Sequence, residues 1–241
     1  MSESVSVGTF DVRVLGSLKE AAEILLPGEK PTSGFALAVN PEKVMMALGD
    51  AELAEQLSAA DFCYPDGIGV VWAMRKKGAP RTVRIPGAEL WVELQKRCAL
   101  TATPVFLLGS SATVLEATRS SLIENLPALN IVGARDGYFS ETERAKVIEE
   151  IASSGARFVS VALGSPRQEI FIREALERVS GTLFMGVGGS YDVYVGSVKR
   201  APAAWRRLGL EWLYRLISQP SRWRRQLVLL RFVARVIRKK I

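Results

Sequence analysis

Short apolar runs alternate with helical segments from residue 105 onward, and this alternation restricts the fold more than any other feature. The predicted strands are Val105–Leu108, Asn130–Val132, Phe158–Leu163 and Leu183–Val187. The predicted helices between them are Thr113–Asn125, Glu141–Ser153 and Gln168–Glu177. Strands that are separated by helices pair in parallel through right-handed crossovers. The sequence therefore predicts an α/β fold, with helices on both faces of a parallel sheet.

The same pattern extends towards the N-terminus after a β-rich start from Val5 to Leu15. Further strands are predicted at Phe35–Val39 and Phe62–Tyr64. Further helices are predicted at Leu18–Leu25, Glu42–Leu48 and Val70–Lys76, and a fourth opens at Pro86-Gly87-Ala88 and runs through Ala99. At 241 residues the chain is long enough for one substantial core with an appendage.

Basic charge is concentrated in the C-terminal segment. Residues 199–241 hold 13 Lys and Arg against one acidic residue, whereas residues 1–198 hold 19 basic and 24 acidic residues. A basic segment on a mildly acidic globule points to an anionic surface as partner. We therefore predict a core over residues 1–198 and a basic, amphipathic, helical appendage over residues 199–241.

The appendage carries two stripes at helical spacing. The apolar stripe is Trp223, Leu227, Leu230, Ala234 and Ile237, and the basic stripe is Arg224, Arg231, Arg235 and Arg238. This pattern favours a helix at the headgroup–acyl boundary of a membrane. A terminal helix that packs its apolar face on its own domain remains an alternative. A nucleic-acid tail would not need so much apolar surface, so we expect no nucleic-acid partner.

Other features bear on the location of the protein. No apolar run approaches the roughly 20 residues that span a bilayer, and the N-terminus lacks the pattern of a secretory signal. We expect a soluble or peripheral protein. Cys63 and Cys98 do not make a disulfide framework, which favours reduced, buried thiols in the cytosol.

The chain contains no histidine, and this excludes several kinds of active site. Ser-His-Asp and Cys-His arrangements and the usual zinc sites all need that residue. Proton transfer near neutral pH must use Asp, Glu, Lys, Tyr or Cys. No Asp-x-Asp pair is present to hold a divalent metal against a nucleotide diphosphate. We therefore expect no metal and no other cofactor.

Polar residues follow three of the predicted strands, where each strand gives way to a helix. They are Asn40, then Asp66-Gly67-x-Gly69, then Gly164-Ser165-Pro166-Arg167-Gln168-Glu169. In a parallel sheet these positions converge on the rim that binds ligands. Asp66 can accept a proton from a hydroxyl, although such an Asp is often only a turn or cap residue. Gln168 can recognise a sugar or uracil, although a Gln at a helix start is often structural.

Two glycine-rich turns complete the set. Gly109-Ser110-Ser111 follows a strand and can hold a diphosphate. Gly186-x-Gly188-Gly189 resembles a dinucleotide fingerprint only weakly, because no complete G-x-G-x-x-G unit is present. This incomplete fingerprint, with no spaced acidic ribose ligand, disfavours an NAD-dependent oxidoreductase.

Together these motifs resemble the WecG/TagA/CpsF family of bacterial glycosyltransferases over almost the whole chain. The motifs are Asn40-Pro41-Glu42-Lys43, Tyr64-Pro65-Asp66-Gly67-Ile68-Gly69-Val70-Val71, Arg84-x-Pro86-Gly87-Ala88-Glu89-Leu90-Trp91, Asp136-Gly137-Tyr138-Phe139, Gly164-Ser165-Pro166-Arg167-Gln168-Glu169, Gly186-Val187-Gly188-Gly189-x-Tyr191-Asp192-Val193, and the run from Lys199-Arg200-Ala201-Pro202 to Arg224-Arg225-Gln226-Leu227. Details such as Arg75-Lys76-Lys77 are most similar to the WecG branch.

The resemblance implies a Rossmann-like enzyme on the inner face of the bacterial plasma membrane. It implies an inverting, metal-independent transfer of N-acetylmannosaminuronic acid from its UDP donor to polyprenyl-diphosphate-linked N-acetylglucosamine, in enterobacterial common antigen synthesis. The same reaction with UDP-N-acetylmannosamine or another UDP-hexose, for teichoic acid or exopolysaccharide, is the alternative. A non-catalytic, nucleotide-sensing membrane adaptor is a second class of function.

The resemblance also implies roles for single residues. Asp66 is the expected general base, with Asn40 and Arg84 beside it in the catalytic site. Arg215, Arg222 and Arg225 of the appendage are expected to close the pocket and meet diphosphate charge. The expected donor-binding residues are Gly109, Gly164, Gln168, Glu169, Gly188, Gly189 and Asp192. One departure is Ala38, since many members carry Thr two residues before the Asn.

The absence of metal-ligand patterns leads to a first prediction. Transfer activity should survive excess EDTA, because arginines can neutralise a leaving diphosphate without a cation. The measurement is product formation with and without chelator. Activity that is lost in EDTA and restored by Mg²⁺ or Mn²⁺ would show that a metal takes part.

Overall fold

The computed structural model describes residues 3–28, 31–58, 60–198, 202, 205, 213–214 and 223–241, the side chains of 223–227 excepted. Its strands are β1 (Ser4–Val7), β2 (Phe10–Arg13), β3 (Gly34–Val39), β4 (Phe62–Pro65), β5 (Val105–Gly109), β6 (Ile131–Arg135), β7 (Phe158–Ala162) and β8 (Leu183–Gly186). The α-helices of five or more consecutive described residues are α1 (Leu18–Leu25), α2 (Pro41–Gly49), α3 (Ala51–Ser58), α4 (Ile68–Lys76), α5 (Gly87–Leu100), α6 (Ala112–Asn125), α7 (Arg144–Ser153), α8 (Arg167–Leu176), α9 (Ser190–Tyr194) and α10 (Trp223–Ile237).

The described strands form one sheet in the order β1-β2-β4-β3-β8-β7-β5-β6. Strand β1 pairs antiparallel with β2, and every other pairing is parallel. The chain moves outward from β3 to β4, crosses to β5 and β6, and then fills the centre with β7 and β8. The predicted α/β fold with a parallel sheet is confirmed, and a Rossmann-like architecture agrees with it.

Side chains alternate between two hydrophobic layers, one on each face of the sheet. Along β3, Phe35, Leu37 and Val39 face one layer, while Ala36 and Ala38 face the other. The first layer receives helices α2, α3, α4, α7, α8 and α10. The second layer receives helices α1, α5, α6 and α9. Both faces are therefore covered, as the near-continuous apolar strands require.

Side-chain caps start several of the helices. Ser17, Asn40 and Ser111 each accept a hydrogen bond from the backbone N–H three residues later, at 3.0, 2.9 and 3.3 Å. These bonds satisfy N–H groups that have no partner inside the helix. The caps fix where the chain turns from strand to helix at the rim of the sheet.

The predicted elements differ from the structure in several places. Helix α3 was not predicted as a separate helix, and the predicted helix Glu141–Ser153 starts as a 3₁₀ turn over Glu141–Glu143 before α7 begins. Strand β6 was predicted to end at Val132, but its parallel pairing with β5 continues as far as Arg135. Helix α9 was not predicted, because five residues are too few to show a helical period. It is held by packing, since Tyr191 is fully buried between the sheet and Trp91 of α5.

Helix α10 has two apolar sides. Phe232 and Val236 are buried against the core, where the helix contacts α2 and α4. Leu230 and Ile237, from the predicted apolar stripe, are 66% and 62% exposed. Helix α10 thus does pack on its own domain, as the alternative held, but it does so through Phe232 and Val236, which are not in the predicted stripe. The predicted boundary between a core over residues 1–198 and an appendage over residues 199–241 stays a prediction.

No helix within the described ranges is both long and apolar enough to cross a membrane. The two cysteines are free and buried, as the sequence indicated. Burial raises the pKa of Cys63 and of Cys98 to about 12, so both thiols are protonated at neutral pH.

These thiols give a second prediction. Because a thiolate is the reactive species, a maleimide at pH 8 should label neither cysteine in the native protein. After denaturation it should label both. Mass spectrometry of the intact chain measures the number of adducts. Rapid labelling of the native chain would contradict the burial of these side chains.

Candidate active site

The carboxyl ends of the parallel strands place the predicted site residues along one rim. Asp66 follows β4, Asn40 follows β3, Gly188 lies beyond β8, Gly164 lies beyond β7, and Gly109 ends β5. The sheet order puts these strands side by side in that sequence. At about 4.8 Å between neighbouring strands, β4 and β8 are roughly 10 Å apart. The structure thus brings the Asp66 turn and the glycine-rich turns to one edge.

Asp66 sits where β4 meets the N-terminus of α5. Its backbone N–H donates to the Val39 carbonyl at 2.9 Å, which fixes the turn against β3. Its carboxylate accepts from the Gly87 N–H at 3.4 Å and lies 3.6 Å from Arg84 Nε. Its side chain is 25% exposed. A helix N-terminus and a guanidinium therefore stabilise the negative charge of a carboxylate that solvent still reaches.

Neighbouring groups are poor alternatives as a base. Tyr64 precedes Asp66 by two residues, and its side chain is fully buried. Burial raises the pKa of Tyr64 well above its usual value, and the nearby carboxylates of Asp66 and Glu169 raise it further. Cys63 is protonated for the same main reason, burial. Among these three side chains, Asp66 is therefore the remaining candidate for a general base.

Asn40 is close to Asp66 but is used in the fold. Its side-chain oxygen caps α2 by accepting from the Lys43 N–H at 2.9 Å. A Cβ on Gly67 would lie 3.8 Å from the Asn40 Cβ and 3.3 Å from Pro41 Cδ, so the two turns touch. The part of Asn40 in catalysis stays a prediction. Ala38, two residues earlier, packs in the apolar layer beside Tyr64, with which it is in register.

A cavity of about 420 Å³ opens on the other half of the rim. It is lined by Ser110, Ser111, Gly137, Tyr138, Ala162, Leu163, Gly164, Arg167, Gly188, Gly189 and Asp192. Four residues predicted to bind the donor are in this lining, namely Gly164, Gly188, Gly189 and Asp192. Its size is typical of a small-molecule site.

Gly109 supports this cavity from beneath. It has φ +110°, and a Cβ there would lie 2.5 Å from the Ala162 backbone. Only glycine permits this approach, which lets the Ser110 N–H donate to the Ala162 carbonyl at 2.9 Å. The small loop that follows is thereby held at the cavity wall.

Arg167 supplies a cation to this cavity and was not among the predicted site residues. It lines the cavity, and its guanidinium lies 5.6 Å from the ring centre of Phe139 and donates to the Phe139 carbonyl at 3.3 Å. In a chain with 32 Lys and Arg, position alone did not distinguish it. Tyr138, which is 84% exposed, stands at the same cavity. Its place within the Asp136-Gly137-Tyr138-Phe139 motif was the available signal.

Gln168 and Glu169 lie below the cavity and do not line it. They are 3% and 0% exposed. Gln168 Nε2 donates to Glu169 Oε1 at 2.9 Å, and Gln168 Oε1 accepts from the Gly188 N–H at 3.0 Å. Both ends of the Gln168 amide thus bond within the protein. Direct donor contact by these two residues stays a prediction.

The predicted arginines of the appendage are not placed by the structure. Arg215, Arg222 and the Arg225 side chain lie outside the described residues. Helix α10 nevertheless lies beside the Asp66 turn, since a Cβ on Gly69 would be 3.5 Å from both Leu229 and Phe232. Over the described ranges, no group of acidic or cysteine side chains is arranged to hold a metal ion.

One comparison with known proteins bears on this site. The sequence model of the glycosyl transferase WecG/TagA/CpsF family matches residues 7–241. The match includes both halves of the rim and helix α10. The family predicted from the motifs is thereby confirmed, whereas the WecG branch stays a prediction.

Proposed function

The chain belongs to the WecG/TagA/CpsF family and is a glycosyltransferase, and from that premise we propose its reaction. It moves N-acetylmannosaminuronic acid from UDP to polyprenyl-diphosphate-linked N-acetylglucosamine, with inversion and without a metal. The same transfer from UDP-N-acetylmannosamine or another UDP-hexose is the second candidate. The proposed setting is the inner face of the bacterial plasma membrane.

The observation that carries the mechanism is the Asp66 carboxylate. It is accessible and is stabilised by Gly87 and Arg84 at the rim that also bears the cavity. In the proposed step the acceptor hydroxyl gives its proton to Asp66 and attacks C1 of the donor sugar. The C1–O bond to UDP breaks as the new C1–O bond forms on the opposite face of the sugar. UDP leaves with the bonding electrons on its diphosphate.

Charge on the departing diphosphate has to be neutralised in the proposed site. Arg167 lies in the cavity wall near the Ser110-Ser111 turn, and guanidinium groups bind phosphate oxygens in a bidentate manner. We propose that Arg167 acts with Arg215, Arg222 and Arg225 of the appendage. Gly164, Gly188, Gly189 and Asp192 would bind the nucleotide part of the donor.

The donor identity is tested by a panel of UDP-sugars. Each is incubated with the enzyme and a polyprenyl-diphosphate-N-acetylglucosamine analogue, and the product mass names the sugar transferred. Release of UDP with no glycosylated product would contradict the proposal that polyprenyl-diphosphate-linked N-acetylglucosamine is the acceptor. Binding of UDP with no transfer from any donor would favour the adaptor alternative.

Asp66→Asn gives a third prediction. Turnover should fall by about a hundredfold or more, because general-base catalysis contributes about 10²–10⁴ and an amide cannot take the proton. The melting temperature should change little, since the side chain keeps its shape. The matched control is Asp50→Asn, which retains a capping side chain at α3 and should be as active as the wild type. Near wild-type turnover in Asp66→Asn would show that another residue is the general base.

Membrane binding is proposed for the exposed side of α10. Leu230 and Ile237 project from the same helix as the exposed Arg231, Arg235 and Arg238. Apolar side chains beside cations suit an anionic lipid surface, where each basic residue contributes about 1 kcal/mol. Phe232 and Val236 hold the helix to the core, so the lipid-facing side would have a fixed orientation to the Asp66 turn.

The fourth prediction concerns this surface. Leu230→Ser with Ile237→Ser should weaken co-sedimentation with vesicles of phosphatidylglycerol and phosphatidylcholine, and leave transfer to a short, water-soluble acceptor unchanged. The control is Leu100→Ser, which removes a leucine that is 86% exposed on α5. Wild-type binding should decline only in part at high salt, because salt does not screen apolar contacts. Equal vesicle binding by the double variant and the wild type would exclude this face of α10.

A further inference from the structure

A buried ion pair lies between the two halves of the rim. Lys43 Nζ of α2 is 2.9 Å from Glu169 Oε1 of α8, and the two side chains are 6% and 0% exposed. Removing two charges from water is costly, and such a pair is weak evidence for stability alone. The position of the pair indicates what else it does. Lys43 donates its backbone N–H to Asn40 beside the Asp66 turn, and Glu169 accepts from Gln168, which follows the cavity-lining Arg167.

A single side-chain amide connects the pair to the cavity. Gln168 Nε2 donates to Glu169 Oε1 at 2.9 Å, and Gln168 Oε1 accepts from the Gly188 N–H at 3.0 Å. The amide passes over Gly186, where a Cβ would lie 2.6 Å from Nε2. Gly188, with φ +51°, lines the cavity. The connection therefore runs without a break from Lys43 to the cavity wall.

The two neighbours of this amide leave it one orientation. An ionised carboxylate only accepts hydrogen bonds, so the NH₂ end of Gln168 must face Glu169. A backbone N–H only donates, so the carbonyl end must face Gly188. A reversed amide would set two acceptors against each other at the buried Glu169 end, and two donors against each other at the half-buried Gly188 end.

We propose that Lys43 and Glu169 are positioning residues. Their charges orient the Gln168 amide, with the ammonium of Lys43 alone sufficient to do so, and thereby hold the Gly188 turn for the UDP part of the donor. The pair acts through Gln168 and need not touch the donor. The part of this inference that concerns UDP rests on the proposed function. The part that concerns the Gly188 turn does not.

Single substitutions in the pair should lower the stability of the fold. The double substitution should recover stability and instead lose the fixed orientation of the Gln168 amide. In Glu169→Gln, Lys43 still donates only, so it keeps the oxygen of the new amide towards itself and towards Gln168. In Lys43→Met, Glu169 stays buried without its cation partner. Each single variant leaves a mismatched charge buried and should unfold at a lower temperature. The Lys43→Met/Glu169→Gln double variant is neutral, but its two adjacent amides can reverse together.

The experiment measures amide hydrogen exchange at Gly188, thermal unfolding, and UDP affinity by calorimetry. In the double variant we expect Gly188 to exchange at least about tenfold faster than in the wild type and UDP to bind about tenfold more weakly. Its melting temperature should exceed that of either single variant. Gln168→Met, which keeps the ion pair, should show the same fast exchange at Gly188. Glu169→Gln should keep Gly188 protected.

Two controls separate this effect from general loosening. Exchange at Phe184 and Met185 in β8 should stay at the wild-type rate in every variant. Glu150→Gln, in the surface pair of Arg135 and Glu150 at 3.5 Å, should change none of the three measurements. If Gln168→Met alone loses protection at Gly188, and the double variant keeps it, the ion pair does not orient the amide and the inference is wrong.

The inference is also wrong if, in the double variant, the protection of the Gly188 amide and the UDP affinity return together with stability, because the pair would then matter only to the fold.

Should the double variant fail to fold, the comparison of Gln168→Met with Glu169→Gln tests the inference, and equal exchange rates at Gly188 in these two variants would overturn it. A wild-type protein that does not bind UDP would contradict the proposed donor. In that case the exchange rates at Gly188 would still test the orientation by themselves.

Discussion

Parallel pairing of β3 with β4 on one side and with β8 on the other is the constraint on which the rest of the structure depends. Because all three strands run the same way, their carboxyl ends meet at one edge. The residues after them, Asn40, Asp66 and Gly188, are therefore neighbours although they are distant in the sequence. A slip of one residue in either pairing would move every side chain of the slipped strand to the opposite face of the sheet. Along β3 the large side chains face one hydrophobic layer and the alanines face the other, so a slip would exchange large for small side chains in both layers.

A site without histidine places its charges in different environments at this edge. Asp66 stays accessible and meets a helix N-terminus and Arg84, whereas Glu169 is fully buried and meets Lys43. The two carboxylates also raise the pKa of Tyr64, the buried phenol near them, after burial itself. Accessibility suits a group that exchanges protons, and burial suits a group that orients its neighbours. The proposed division of roles thus follows from the position of each carboxylate in the fold.

Much of the fold was predictable because it depends on local pattern. The strand and helix alternation identified the parallel sheet, and the strand ends identified the rim and several residues of the cavity wall. Contacts between distant segments carry no such signal. Gln168 has the same sequence features whether it binds a ligand or a backbone amide, and only the approach of Gly188 decides between them. The ion pair of Lys43 with Glu169 was likewise not predictable, since α2 and α8 come together only through the sheet order.

Helix α10 shows why the two sides of an amphipathic segment need separate explanations. Leu230 and Ile237 of the predicted apolar stripe are exposed, whereas the residues that hold the helix to the core are Phe232 and Val236. Phe232 reaches the space that Gly69 leaves by lacking a side chain, three residues beyond Asp66. The side of the helix opposite Leu230 and Ile237 is thus packed beside the turn that carries the proposed base. Under the proposed function, a lipid surface that binds Leu230 and Ile237 would act on a body rigidly connected to the active site, so that the height of Asp66 above the membrane would be set by core packing.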